Sequence, residues 1–166
     1  EGHMPVTIPS LSSQIDQIEI TVADLKNLWR NFNSSSDKVD LVAIGSPHAS
    51  SNECKKFADL LPGKICMEKI KVIITVGRET LKEISKNGVA DKLKKSGVKI
   101  ISDICWCSIT EPVFPAETQV VITNSGKYAY YGKALTSRDI RFGSLNDCAT
   151  AAINGVIDLS LPKWLS

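Results

Sequence analysis

The sequence predicts an α/β fold: a three-layer sandwich with a mainly parallel sheet, flavodoxin- or Rossmann-like. Three observations predict it. Short runs at 39–44, 72–76, 98–101 and 119–123 are dominated by Val and Ile and lack the alternation of a half-solvated strand, which suits strands covered on both faces. Two of these runs lead directly into a glycine, Gly45 and Gly77, where the chain must turn. Between the runs lie stretches with apolar residues at helical spacing, so strand-like and helical segments alternate along nearly the whole chain. Strand order is not legible from this pattern.

Taken in order, Ile18-Glu19-Ile20 reads as a short β-type piece. Thr21 caps a helix over residues 22–32, with Asp24 near its positive end and Leu25, Leu28, Trp29 and Phe32 on one side. A polar turn at 33–37 precedes the strand at 39–44. Ser50 or Ser51 caps the next helix, Glu53 sits in its first turn, Phe57, Leu60 and Leu61 form its apolar side, and Pro62-Gly63 ends it. The strand at 72–76 leads to helices over 79–86 and 89–95, closed by Asn87-Gly88 and Gly97. The strand at 98–101 runs out into Ser102-Asp103-Ile104-Cys105. An irregular stretch with Pro112 and Pro115 follows, then the strand at 119–123, a helix start at 124–128, a strand at 139–142, and a last helix from Ser144 to Ile153.

The chain has 166 residues, 43% hydrophobic and 23% charged, which suits one globular core rather than disorder. Its formal net charge of +2 excludes nucleic-acid binding driven by charge alone. No apolar run approaches the ~20 residues needed to cross a bilayer, so no membrane partner is expected. Glu1-Gly2-His3-Met4 reads as the remnant of a cleaved tag and residues 5–17 as a linker, leaving 18–166 as one domain. The Pro- and Ser-rich start fits either a cut inside a longer protein or a natural tail. Five cysteines with no secretion signal argue against a disulfide framework and point to the cytoplasm.

Ligands of open parallel sheets bind beyond the carboxyl ends of the strands. There the sequence places Gly45-Ser46-Pro47-His48-Ala49-Ser50, Ser102 to Cys105, Thr123-Asn124-Ser125-Gly126-Lys127-Tyr128, and Gly143-Ser144 with Cys148 one turn on. The Asn124–Lys127 stretch combines a helix start with a cation and reads as an anion seat or as a plain strand-to-helix turn. His48 is a hydrogen-bonding or acid/base group, or a histidine bonded to a nearby carbonyl. Cys105 and Cys148, at two strand ends of one edge, could ligate iron or an iron–sulfur cluster, or be structural.

Four motifs in order resemble one family. They are Gly45-Ser46-Pro47-His48-Ala49-Ser50-x-x-Glu53, Ser102-Asp103-Ile104-Cys105, Thr123-Asn124-Ser125-Gly126-Lys127-Tyr128-Ala129-x-Tyr131, and Phe142-Gly143-Ser144-Leu145-x-Asp147-Cys148-x-x-Ala151. The chain is similar to the C-terminal domain of the aconitase X large subunit. The sequence departs from the family in carrying Ser46 where Cys is frequent and Tyr130 where His is frequent.

The resemblance implies a dehydratase with a cysteine-held iron–sulfur cluster, acting on mevalonate 5-phosphate or on a hydroxyproline-like hydroxy acid. It implies Cys105 and Cys148 as two metal ligands, with the third outside this chain. His48 and Ser50 become catalytic candidates, and Gly45, Asn124, Ser125, Lys127, Tyr128 and Ser144 substrate-binding candidates. It implies two protein partners, the N-terminal part of the same large subunit and a small swivelling subunit or domain. On this reading the chain is a fragment, inactive alone and without a bound cluster. The alternative is a non-catalytic anion-binding or interaction module on the same fold. A nucleotide or flavodoxin-like redox domain lacks support, since no G-x-G-x-x-G or phosphate-loop pattern is present.

Overall fold

A computed structural model describes residues 16–34, 37–61, 63, 66, 68–106 and 113–166. Five strands form one sheet: β1 (Leu41–Ile44), β2 (Lys71–Val76), β3 (Lys99–Ser102), β4 (Val120–Thr123) and β5 (Asp139–Phe142). Six helices accompany them: α1 (Val22–Phe32), α2 (Ser51–Leu60), α3 (Arg78–Lys86), α4 (Val89–Lys95), α5 (Gly126–Thr136) and α6 (Leu145–Asn154). All strand pairs are parallel, in the order β3-β2-β1-β4-β5. The expected α/β architecture is therefore present. The chain builds outward from β1 to β3, then returns to the other side of β1 for β4 and β5. The order reverses between β1 and β4, which makes their carboxyl ends the switch point where such sheets open a crevice.

Successive residues of a strand point to opposite faces, and the core divides accordingly. Val42, Ile44, Val72, Ile74, Val76 and Ile122 pack with residues of α2, α3, α4 and α6. Leu41, Ala43, Ile73, Val121 and Ile140 face the other way, toward Trp106, Phe114, α5 and the end of α1. Burial on both sides is why these runs lack polar alternation. Thr75 within β2 and Thr123 at the end of β4, both fully buried, are the exceptions.

The helix boundaries follow local chemistry. Thr21, Ser50 and Ser144 each cap a helix reciprocally with the acid three residues on, Asp24, Glu53 and Asp147. Such a cap is worth about 1 kcal/mol. Two expectations need correction. Residues 18–20 form no strand: Ile18 and Ile20 are 87% and 73% exposed, and no other strand lies beside them. The strand expected at 98–101 starts one residue later, because the Val98 amide bonds the Leu93 carbonyl and closes α4 instead. The tag and most of the linker, Pro62, Cys107 and Pro112 lie outside the described residues. Among the described residues no helix is long and apolar enough to cross a membrane.

Candidate functional site

The loop leaving β1 is held by backbone geometry. Gly45 has φ +88°, and a Cβ there would lie 2.4 Å from the Thr75 carbonyl and 2.6 Å from the Ala49 amide. The Ala49 amide donates to the Thr75 carbonyl at 2.7 Å. The Thr75 hydroxyl sits between the carbonyls of Gly45 and Pro47 as a donor, across a cis Ser46–Pro47 bond. Trp106, fully buried, donates its indole N–H to the Ile44 carbonyl at 3.1 Å. Gly45 to Ala49 are thus pinned to β2, and Ile44 before them to the segment after β3. His48 is exposed on this loop, and a Cβ added at Gly77 would come within 3.9 Å of its Nδ1.

Across the switch point, the Ser125 hydroxyl caps α5 by accepting from the Tyr128 amide at 3.2 Å. Asn124 reaches back to α2, its Nδ2 donating to Glu53 Oε1 at 3.3 Å. Its Oδ1 is buried and has no hydrogen-bond partner among the described residues. Ser46 Oγ, on the β1 loop, is in the same state. Buried polar atoms of this kind are rare and call for a partner.

Four helices, α2, α3, α5 and α6, begin on this edge, and they differ electrostatically: the Arg78 amide at the start of α3 donates to Asp103 Oδ1 at 2.9 Å. Ser50 and Ser144 already hold the carboxylates of Glu53 and Asp147, at 2.9 and 2.8 Å. The first turn of α5 carries no acid and has exposed Lys127 instead. Of the four, only α5 therefore presents its positive end to an external anion. A cleft of about 700 Å³ opens beside it, lined by Asn124, Gly143, Ser144 and Asp147 and walled by Trp29, Lys163 and Trp164. The indole N–H of Trp29 donates to the Ser160 carbonyl at 3.2 Å, and its ring meets those of Phe142 and Trp164 edge-on.

The edge brings together His48, Ser50, Asn124, Ser125, Lys127 and Ser144. Gly45 and Tyr128 are buried beneath it. Gly45 is buried and accounted for by its contact with β2. Tyr128 is 1% exposed, its ring 4.2 Å from that of Trp106 in the core layer. Cys105 is half-buried after β3. Cys148 is fully buried among α2 and α6 residues, and burial, reinforced by Asp147, pushes its thiol far up toward the protonated form. Metal coordination itself deprotonates a thiol, and a group held by Cys105 and Cys148 would have to do so at Cys148. No group of three or more His, Cys, Asp or Glu among the described residues is placed to hold a metal ion.

Thr75, Trp106, Trp29, Lys163 and Trp164 were not legible as site residues. Thr75 left one signal, as the lone hydroxyl inside an apolar strand run. The others are joined to the edge only by tertiary packing.

The sequence matches the aconitase X third domain over residues 39–154. It is 39% identical, over 92% of this chain, to cis-3-hydroxy-L-proline dehydratase of Hypocrea jecorina, of which it covers 26%. It is 28% identical, over 82% of this chain, to the phosphomevalonate dehydratase large subunit of Methanocaldococcus jannaschii, of which it covers 33%. The crystal structure of Thermococcus kodakaraensis aconitase X (holo-form) superposes with a TM-score of 0.73 at 27% identity, over 87% of this chain and 36% of that one. The chain thus spans about a quarter to a third of the length of these proteins. On the match to that domain and the likeness to both dehydratases, the chain belongs to the aconitase X family.

Proposed function

We propose that this chain is the part of an aconitase X-type dehydratase that orients a small hydroxy-acid substrate at the carboxyl edge of its sheet. The observation that carries this reading is the unpartnered, buried Oδ1 of Asn124 at the switch point, beside the one helix start without its own acid. The first backbone N–H groups of α5, with Lys127, receive the substrate's carboxylate or phosphate. Asn124 Oδ1 accepts from a substrate hydroxyl or ring amine. The oriented substrate loses a C–H proton and a neighbouring hydroxyl, a C=C bond forms, and water leaves. His48, on the pinned loop, is the group that takes or returns a proton at an imidazole nitrogen. Ser50 acts through Glu53, which holds Asn124. Gly45 and Tyr128 support the edge from beneath.

The 39% and 35% identity to two cis-3-hydroxy-L-proline dehydratases, against 24% to 30% to four phosphomevalonate dehydratase large subunits, favours a cyclic hydroxy amino acid over a phosphorylated acid. In the complete enzyme, which we place in the cytoplasm, the N-terminal part of the large subunit and a small swivelling subunit or domain close the site. The chain alone is inactive. The iron–sulfur cluster stays a property proposed for that complete enzyme, with Cys105 and Cys148 as two of its ligands and the third outside this chain.

The test is anaerobic turnover of cis-3-hydroxy-L-proline and mevalonate 5-phosphate by the complete polypeptide with its partner. His48→Ala and Asn124→Ala should each lower kcat/KM by about 100-fold or more. Full activity of either variant removes that residue from the mechanism. Tight ligand binding by the 166-residue chain, with no turnover by the complete protein, supports the non-catalytic module instead.

A further inference from the structure

The motif Ser102-Asp103-Ile104-Cys105 contains an acid to which the mechanism above gives no part. β3 is an edge strand, two places from β1 in the sheet, yet the segment leaving it reaches the crevice. Asp103 is fastened to the end of β2, where its amide donates to the Val76 carbonyl at 2.9 Å. Its carboxylate then closes on one residue by two atoms. Oδ1 accepts from the Arg78 amide at 2.9 Å, and Oδ2 from Arg78 Nε at 3.0 Å. Three residues on, Trp106 is fastened to the end of β1 through its indole N–H on the Ile44 carbonyl. Ile104 and Cys105 therefore run between two fixed points, from β2 toward the switch point. One carbonyl back on β2, that of Thr75 holds the Ala49 amide of the loop that carries His48. Residues 75–78 thus bracket both segments and set Cys105 and His48 in one frame.

Asp103 stands at φ +61°, in the left-handed region that residues with a Cβ seldom adopt. Such a conformation persists only where its surroundings impose it. The ion pair is too exposed for its charge to add much stability, with the Arg78 and Asp103 side chains 73% and 39% exposed. What the contact fixes is direction: the chain turns at Asp103, two positions before the thiol. We propose that Asp103, clasped by Arg78, is the positioning residue that sets Cys105 against the His48 loop. This deepens the functional reading above, in which Cys105 belongs to the reacting edge, and rests on it. The thiol's place is then set from the end of β2 and the start of α3 rather than by β3 itself.

Two substitutions separate direction from charge. Asp103→Asn removes the carboxylate charge, keeps an oxygen for the Arg78 amide and tolerates a positive φ. Asp103→Gly removes the same charge, permits the same backbone and loses both contacts. On the 166-residue chain, iodoacetamide alkylation of each cysteine is followed by peptide mass spectrometry. Cys105 in Asp103→Gly should react at least about tenfold faster than in Asp103→Asn, while buried Cys54 and Cys148 keep their unaltered rates. Equal rates at Cys105 in the two variants leave charge alone at work and overturn the proposal. An equal acceleration at Cys54 and Cys148 reports general loosening and overturns it too. In the complete dehydratase, Asp103→Gly should lower kcat on cis-3-hydroxy-L-proline by about tenfold or more at little-changed KM, and Asp103→Asn should recover most of that loss. Full kcat in Asp103→Gly overturns the proposal as well. Absence of turnover by the unaltered complete protein removes the chemistry above, while the alkylation ratio still decides how Cys105 is held.

Discussion

Four helices roof one face of the sheet and two cover the other. The first layer interlocks: α2 touches α3, α4 and α6, and its Phe57 and Cys54 are fully buried. The second meets the sheet mainly at β5 and β4, through α5 and α1. Both rest on the same strands, so the difference lies in the helices. A helix packed among other helices buries its stripe, whereas a helix at the margin leaves part of it in solvent. Stability therefore belongs mainly to one face, and most of the exposed apolar surface to the other.

Three measurements would sharpen or break that contrast. The largest effect is expected in the closed layer, where Phe57→Ala should cost about 3–5 kcal/mol in urea unfolding. A loss below about 1 kcal/mol would mean that this layer is loosely packed. The next concerns pH. Burial, with Glu53 beside it, pushes the Cys54 thiol up to about 11, above the ~8.5 of an unfolded chain. A folded-state value above the unfolded one favours the protonated native form. Its stability is complete below about pH 8.5 and is lost as pH rises toward 11. Burial raises Cys66 in the same direction. Unfolding free energy measured between pH 8 and 11 should fall, and a flat profile would contradict the closed layer. The smallest effect is expected on the open face, where Leu135→Ser should change stability of the 166-residue chain by no more than about 0.5 kcal/mol.

The closed layer was also the more legible one. Val72 to Val76 and the stripe of Phe57 with Leu60 and Leu61 announce themselves because burial on both faces leaves no polar alternation to confuse the period. Capping was legible for the same local reason, since Thr21, Ser50 and Ser144 each have their acid three residues on. Ile18 to Ile20 misled because β-branched composition reads as a strand whether or not another strand lies beside it, and here none does. At the site, His48, Asn124 and Lys127 could be found from their position after a strand. Trp29 and Trp164 could not, because 135 residues separate them and only their ring contact joins them to the cleft. The burial of Cys148 was equally hidden. Its place one turn into a helix suits a ligand or a core thiol alike, and only the packing of α6 against α2 decides the side it faces.

Gly45 also governs how this edge can change over time. The room a side chain would need at that position is taken by main-chain atoms of Thr75 and Ala49, which no neighbouring substitution can remove. Natural drift and laboratory selection therefore meet a closed door at position 45, whatever ligand is favoured. New specificity must enter through its neighbours: Ser46, with its buried hydroxyl, His48 on the exposed turn, and Asn124 across the crevice. The invariant element of the edge is a carbonyl, an amide and a missing Cβ, and the adjustable chemistry hangs beside it.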